Sequence, residues 1–325
     1  MVNMVINPAS KSGHGLEMWK ELEDWLLKHS IEYEAFLSKG PGDVTRIVHE
    51  LCENGLSKAS SVLRIIILGG DGTFNEALQG ITDFDCVEIG YIPTGSSNDL
   101  ARDLGIKGDP SFLLSRILVC DKPHLMDLGR LTYHDSASAS ERSRLHEEKD
   151  SDTRYFAVSC GIGYDAAICE EALASHFKNT LNRLGLGKLT YLTIALKQLI
   201  LTKRGNCTIT LDGKEPFELK SFLFIATMIH RFEGGGFMFC PDADAQDGRF
   251  NLCAVGPIAK LRILFALPSA LKGQHYRYPH IYPYDGASVH IEADRPFWVH
   301  TDGEVSRKSS SITIECLQKK IHLLK

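Results

Sequence analysis

The sequence predicts an α/β domain built on a parallel sheet, followed by a second, mainly antiparallel β domain. Three observations carry that expectation. Over residues 1–128 short apolar strands alternate with helical patterns, the order of a parallel sheet with helices on its faces. After Asp127-Leu128-Gly129 the texture changes to many shorter β-like segments. The chain of 325 residues is long enough for about two domains at roughly 150 residues each. The expected domains are therefore 1–128 and 129–325, with a last strand or helix near 311–325 as a candidate to return to the first.

Residues 1–6 read as the first strand, and 15–28 carry Leu16, Trp19, Leu22, Leu26 and Leu27 at helical spacing. A second strand follows at 32–37, then a helix over 42–53 with Val44, Ile47, Val48 and Leu51 on one face. Ile65-Ile66-Ile67-Leu68 is an unbroken apolar run, as a strand buried on both faces requires. After it come Gly69-Gly70-Asp71-Gly72-Thr73 and a helix over 74–80; a strand at 87–92 leads through a loop into a helix beginning near Asn98. In the second part the clearest strands are 154–161, 207–211, 222–227, 250–255, 288–292 and 297–300, with helices by period at 188–201 and 258–271. Residues 133–154 hold almost no large apolar side chain, so they read as a solvated, disordered hairpin loop.

Charge and composition exclude several classes. Lys and Arg number 36 against 41 Asp and Glu, a net charge of −5, which disfavours a general nucleic-acid binder. No apolar run reaches the roughly 18 residues that a bilayer span needs. The start, Met1-Val2-Asn3-Met4-Val5-Ile6, has no basic region and reads as a strand rather than a leader. The nine cysteines form no CxxC pair, and their apolar neighbours point to reduced thiols and a cytoplasmic setting. No HExxH or His/Cys cluster suggests transition-metal chemistry.

The strongest chemical signal is Gly69-Gly70-Asp71-Gly72-Thr73-Phe74-Asn75-Glu76, between a buried strand and a helix. Its glycines let backbone N–H groups approach an anion, and the helix N-terminus favours negative charge. The pattern is neither GxxxxGK[ST] nor GxGxxG, which disfavours a P-loop NTPase and a standard dinucleotide fold. A second loop, Pro93-Thr94-Gly95-Ser96-Ser97-Asn98-Asp99, follows the next strand. In a parallel sheet both loops lie at the carboxyl ends of strands, where ligands bind. Two acids, Asp71 and Asp99, beside a phosphate site call for a divalent cation. The plainer reading is a glycine-rich turn capped by Thr73 or Asp71, with Asp99 as a helix cap. Asp302-Gly303-Glu304 ends a strand on a sharp turn, where a carboxylate can project to receive a hydroxyl proton; a solvated hairpin turn is the alternative.

Asn7-Pro8 with Ser12-Gly13, the blocks 69–76 and 93–99 with Ala101-Arg102, and Asp127-Leu128-Gly129 together resemble the diacylglycerol kinase catalytic domain family. So do 156–165, Gly234-Gly235-Gly236-Phe237-Met238 with Pro241 to Gly248, Lys272-Gly273-Gln274-His275 and the Asp302 block, so the resemblance covers nearly the whole chain. It implies a nucleotide-binding domain like those of NAD kinases and 6-phosphofructokinases, followed by a β-sandwich. It implies ATP contacts at Asn7, Pro8, Ser12, Gly13, Ser38, Gly70, Asp71, Gly72, Thr73, Phe74, Asn75, Glu76 and Ser96. Catalytic Mg2+ would be held, largely through water, by a network containing Asp71, Asp99 and Asp127. A structural cation would fall at Asp244, Asp247 and Arg249, using backbone carbonyl oxygens at the first and last. Asp302 is the preferred base, with Glu304 as its orienting partner or the base itself. Ser96 stands where the family usually has Thr, and Ala9-Ser10-Lys11 lengthens the first phosphate loop.

The implied activity is an ATP- and Mg2+-dependent lipid kinase, with diacylglycerol as substrate. A sphingoid base, a monoacylglycerol or phosphatidylglycerol stays open, because an acyl-chain groove discriminates weakly per methylene. An NAD kinase would need a Gly-Ser-Thr-Ala-Tyr block that is not recognisable here, and a non-catalytic regulator would typically have lost its acidic groups. The implied partner is a lipid at an anionic membrane surface, met by reversible, peripheral attachment from the cytoplasm; a homodimer is left open. Residues 172–211 hold six basic side chains (Lys178, Arg183, Lys188, Lys197, Lys203, Arg204) and no acid, so the rest carries −5 − 6 = −11. That basic, leucine-rich stretch suits an anionic interface. The alternatives are a core-facing helix there, or docking through Lys260, Arg262 and Lys272.

Overall fold

Residues 2–56, 62–95, 97–135, 152–174 and 187–325 are described in the computed structural model, and they separate into two units. The first comprises Met1–Leu128 and Gln318–Lys325, the second Gly129–Leu317.

In the first unit, strands β1 (Val2–Ile6), β2 (Tyr33–Leu37), β3 (Leu63–Gly69) and β4 (Val87–Pro93) alternate with helices α1 (Ser10–Gly13), α2 (Gly15–Lys28), α3 (Asp43–Leu56), α4 (Asp71–Gly80), α5 (Asp99–Asp103) and α6 (Pro110–Leu118). β1 pairs in parallel with β2 and β3, and β3 pairs in parallel with β4. The apolar run 65–68 is fully buried because helices pack on both faces; Ile66 and Leu68 meet Trp19, Leu22 and Leu26 of α2 on one of them. Helix α4 starts at Asp71, three residues before the helix expected at 74–80, so the glycine-rich block is itself the first turn of the helix.

Strand β5 (His124–Tyr133) carries the chain out of the first unit. The second unit then contains β6 (Thr153–Phe156), β7 (Ser159–Gly163), α7 (Tyr164–Ala174), α8 (Gly187–Leu201), β8 (Gly205–Leu211), β9 (Phe217–Phe222), β10 (Phe224–Met228), β11 (Phe232–Glu233), β12 (Phe237–Met238), β13 (Phe250–Val255), α9 (Lys260–Ala270), β14 (Ile281–Gly286), β15 (Ser288–Thr301) and β16 (Glu304–Leu324). Its strands run β14-β13-β10-β7-β15-β16, antiparallel throughout, with β8 and β9 added beside β15. Strand β10 shows the period-2 logic. Ile225 joins the core of Phe156, Phe222 and Phe250, while Phe224, Ala226 and Met228 face the opposite core, built with Tyr164, Leu199, Ile263 and Ala266 of the helices.

One sequence expectation changes. The strand expected over 154–161 is interrupted at Ala157 and Val158, whose N–H groups leave the ladder for the carboxylate of Asp302. The last segment is one long strand, β16, whose residues His322, Leu323 and Leu324 pair in parallel with Glu88, Ile89 and Gly90 in the first unit.

The loop expected over 133–154 lies, from residue 136 to 151, outside the described residues. Its ends are anchored. Tyr133 N–H bonds the Asp152 carbonyl, Asp135 accepts from Ser309 and Ser310, and the Asp152 carboxylate meets the buried guanidinium of Arg307. Because 137–150 carry almost no large apolar side chain, replacing them by a short Gly-Ser linker, with Asp135 and Asp152 kept, should shift Tm by only about 2 °C. A differential scanning fluorimetry loss several times larger would show that the segment packs.

Candidate active site

The carboxyl ends of β1, β3 and β4 converge on two glycine loops in the first unit. Gly70 caps α4 in an extended conformation, and the Phe74 N–H bonds its carbonyl. The amides of the first turn of α4 have no acceptor within the helix and are oriented for an anion. A Cβ on Gly70 would lie 3.0 Å from the Gly95 Cα, and one on Gly95 would lie 2.8 Å from the Gly70 Cα. The loops thus touch backbone to backbone, and any side chain would separate them. Side chains lock the same end: Asn7 Nδ2 donates to Thr73 Oγ1 (2.9 Å), Thr94 Oγ1 to Ser10 Oγ (2.8 Å), and the Thr94 N–H to the Gly69 carbonyl (2.8 Å). Asn98, in the left-handed region at φ +48°, donates from Nδ2 to the Gly95 carbonyl.

Asp71 does not cap its own helix. Its Oδ2 accepts the N–H of Asp99 at 3.0 Å, at the start of α5, and its Oδ1 accepts the Tyr91 hydroxyl at 3.3 Å. Asp99 is nearly buried and lies 3.2 Å from Arg102 Nη1. Asp127 is fully buried, and its Oδ1 accepts the N–H of Lys319 where β16 re-enters the unit. Asp71 and Asp99 are directly joined, and Asp127 is anchored separately. Among the described residues no group of three His, Cys, Asp or Glu side chains forms a metal cage. A donor set of this kind fits Mg2+, which keeps several waters and needs only one or two carboxylates beside substrate phosphates.

The other expected contacts are placed unevenly. Ser38 is buried at the end of β2, its N–H on the Ile6 carbonyl. Pro8 lies just before the short α1, and Gly13 is its last residue. Ser96 lies outside the described residues, as does the side chain of Ser12. The expected structural cation site finds little side-chain support. Asp244 and Asp247 each accept a nearby backbone N–H, of Gln246 and Arg249, and the Arg249 guanidinium is spent on Asp285 and Asp212. That set is not a side-chain cation cage; a cation there would depend on backbone carbonyls.

The second unit holds the acidic turn. Thr301 pairs with Glu304, so Asp302 and Gly303 form a two-residue hairpin turn, with φ +52° and +84°, as a type I′ turn requires. The Asp302 carboxylate accepts three backbone N–H groups, of Ala157 (2.9 Å), Val158 (2.8 Å) and Ser159 (3.0 Å). Those bonds clamp the turn onto the break between β6 and β7. Two residues earlier, His300 is fully buried, and its Nδ1 accepts the Gly303 N–H at 3.1 Å, which leaves the ring proton on Nε2. Nε2 lies 3.1 Å from Glu233 Oε1 and 3.5 Å from Asp165 Oδ2. Burial raises the Asp165 carboxyl above the usual range, an effect that His300 partly offsets. Gly161 makes room for this cluster, since a Cβ there would lie 2.0 Å from Asp165 Oδ2 and 2.3 Å from His300 Nε2.

His300 sits in an ordinary strand pattern, and Asp165 and Glu233 carry no acidic motif of their own, so sequence reasoning misses all three. The available signal was the position of the two acids in glycine blocks, Gly161-Ile162-Gly163-Tyr164-Asp165 and Glu233-Gly234-Gly235-Gly236. His275 is a packing residue. It is buried, its Nε2 meets the Phe239 carbonyl, and burial lowers it to about 4, so it stays neutral.

Comparison with known proteins accounts for both units. Residues 1–131 match the diacylglycerol kinase catalytic domain, and residues 158–325 match the YegS C-terminal NAD kinase beta sandwich-like domain. The chain belongs to the diacylglycerol kinase family. A member of this family is a lipid kinase, a phosphotransferase, and the kinase family implies ATP as donor. A Bacillus subtilis (strain 168) protein named "Putative lipid kinase YtlR" is 25% identical over 309 residues, covering 93% of this chain and 92% of its own. The diacylglycerol kinase of Mycobacterium tuberculosis (strain ATCC 25618 / H37Rv) is 24% identical over 241 residues, 74% of this chain and 70% of its own. A crystal structure from Bacillus anthracis str. Sterne superposes with a TM-score of 0.71 at 21% identity, over 99% of this chain and 94% of that one, which establishes the shared fold.

Proposed function

We propose that this lipid kinase transfers the γ-phosphate of ATP to the primary hydroxyl of diacylglycerol, giving phosphatidic acid, with Mg2+ held through its waters by Asp71, Asp99 and Asp127. The observation that carries the nucleotide half is the direct contact of the Gly70 and Gly95 loops at the N-terminus of α4, next to the Asp71–Asp99 link. Those amides, with Asn7 and Thr73, take the phosphates. When bound, Mg2+ would neutralise phosphate charge. The lipid hydroxyl oxygen forms the new P–O bond as the bond to ADP breaks, and a carboxylate takes its proton. That carboxylate is assigned to Glu304 rather than Asp302. Three N–H donors already hold the Asp302 carboxylate as the anchor of the turn, so the proton is assigned to Glu304, the other carboxylate of the block.

Diacylglycerol is favoured because the M. tuberculosis relative bears that name. No helix among the described residues is long and apolar enough to cross a membrane. In this reading the substrate is reached by reversible attachment from the cytoplasm. Purified protein with labelled ATP, Mg2+ and separate diacylglycerol, sphingosine, monoacylglycerol, phosphatidylglycerol and NAD should give the highest kcat/KM on diacylglycerol. A higher value on any other acceptor would replace the substrate assignment.

A further inference from the structure

Helix α9 is apolar on two opposite faces. At about 100° per residue, Ile263, Ala266 and Ala270 share one face, and all three are buried under the sheet. Leu261, Leu264, Phe265, Pro268 and, just past the helix, Leu271 share the opposite face, which is exposed. Leu261 is 68% exposed and Phe265 64%. A helix that serves only a core carries one apolar stripe and a polar outer face. The patch continues onto α8, because Lys260 Nζ bonds the Ile200 carbonyl, where Ile200 is 75% and Leu201 57% exposed.

The charge around this patch selects its occupant. Residues 187–204 and 256–277 contain lysines and arginines and no aspartate or glutamate, in a chain of net charge −5. Lys203, Arg262 and Lys272 are exposed at its border. A second copy docking through the same face would bring these positive charges against their own equivalents. An anionic bilayer complements both the leucines and the charge. We infer that the outer face of α9, with the C-terminal turn of α8, is the surface that docks this protein on anionic phospholipid membranes.

This moves most of the docking surface to α9, and of the basic stretch at 172–211 only the end of α8 and Lys203 take part. There Lys197 is paired with Glu171, and the Arg204 guanidinium is spent on the Ile258 carbonyl. Lys178, Arg183 and the side chain of Lys188 lie outside the described residues. The inference rests on the reading that the substrate is a bilayer lipid, and its test separates the two.

The test is co-sedimentation of the full chain with phosphatidylcholine vesicles, with and without phosphatidylglycerol. Binding should require phosphatidylglycerol and weaken with salt. Leu261→Gln with Phe265→Gln should lower partitioning about tenfold or more, as the buried apolar area shrinks. Arg262→Gln with Lys272→Gln should lower it about thirtyfold, at ~1 kcal/mol per charge. All four residues lie on the solvent side, so melting temperature and turnover of a short-chain diacylglycerol below its aggregation limit should stay within twofold of the parent. Unchanged vesicle binding in both double variants, binding indifferent to phosphatidylglycerol, or a dimer that these variants dissociate would overturn the docking face. Vesicle binding that depends on α9 while no lipid is phosphorylated would leave the docking face standing and remove the substrate assignment.

Discussion

Asp71→Asn should lower kcat by about 10²–10³, the loss of one electrostatic stabiliser worth on the order of 3–4 kcal/mol in the transition state. Asparagine keeps an oxygen that can accept the Asp99 N–H, so α5 stays in place and Tm should move little. The change therefore removes charge while leaving the loop geometry. Asp71→Ala is the harsher variant. It leaves the Asp99 N–H and the Tyr91 hydroxyl without this acceptor, which should add about 1–3 kcal/mol of destabilisation to the kinetic loss. Steady-state kinetics at several Mg2+ concentrations, beside thermal melts of both variants, separate the two effects. The asparagine variant should also need more Mg2+ for half-maximal rate. Near-normal turnover in Asp71→Asn would remove this carboxylate from the phosphoryl-transfer machinery.

The legible parts of this protein are those whose cause is local. Ile65 to Leu68 announced a doubly covered strand because every residue of it is apolar, and the block from Gly69 announced an anion loop because so many glycines have no other use between a strand and a helix. The residues that the sequence hid are set by partners far along the chain. Residues 154–161 look like one strand, yet the Asp302 carboxylate, about 145 residues later, draws three N–H groups out of the ladder. Ser306-Arg307-Lys308-Ser309-Ser310-Ser311 has no apolar alternation, so the middle of β16 was not recognisable as a strand. Its pairing with β15 and the partners Asp135 and Asp152 supply the reason. Arg307 is buried because Asp152 meets its guanidinium and the Tyr133 ring lies beneath it. His300 is a similar case. Nothing in Trp298-Val299-His300-Thr301 marks it, and only the fold brings Glu233, Asp165 and the Gly303 N–H around one imidazole.

Glu304→Gln should be the most damaging single change for the chemical step, lowering kcat by about 10²–10⁴ with the KM for ATP nearly unchanged, since a base acts on the acceptor hydroxyl and not on the nucleotide. Asp302→Asn should behave differently. An asparagine in that position retains one carbonyl oxygen but turns an NH2 toward N–H donors, so at least one of the bonds from Ala157, Val158 and Ser159 is lost. Bonds to a charged acceptor contribute about 1.5–3 kcal/mol, which for a chain of this size corresponds to a fall in Tm of about 3–10 °C. Activity should fall as well, because the Asp302-Gly303 turn carries Glu304, and that loss should shrink on cooling as the turn re-forms. The Glu304→Gln loss should persist at every temperature in a protein that melts like the parent. Kinetics and melts of the two variants, measured together across temperature, decide the assignment. If Asp302→Asn kept the parental Tm and lost more kcat than Glu304→Gln, the proton would go to Asp302, and the three N–H groups would serve to aim a base instead of anchoring a turn.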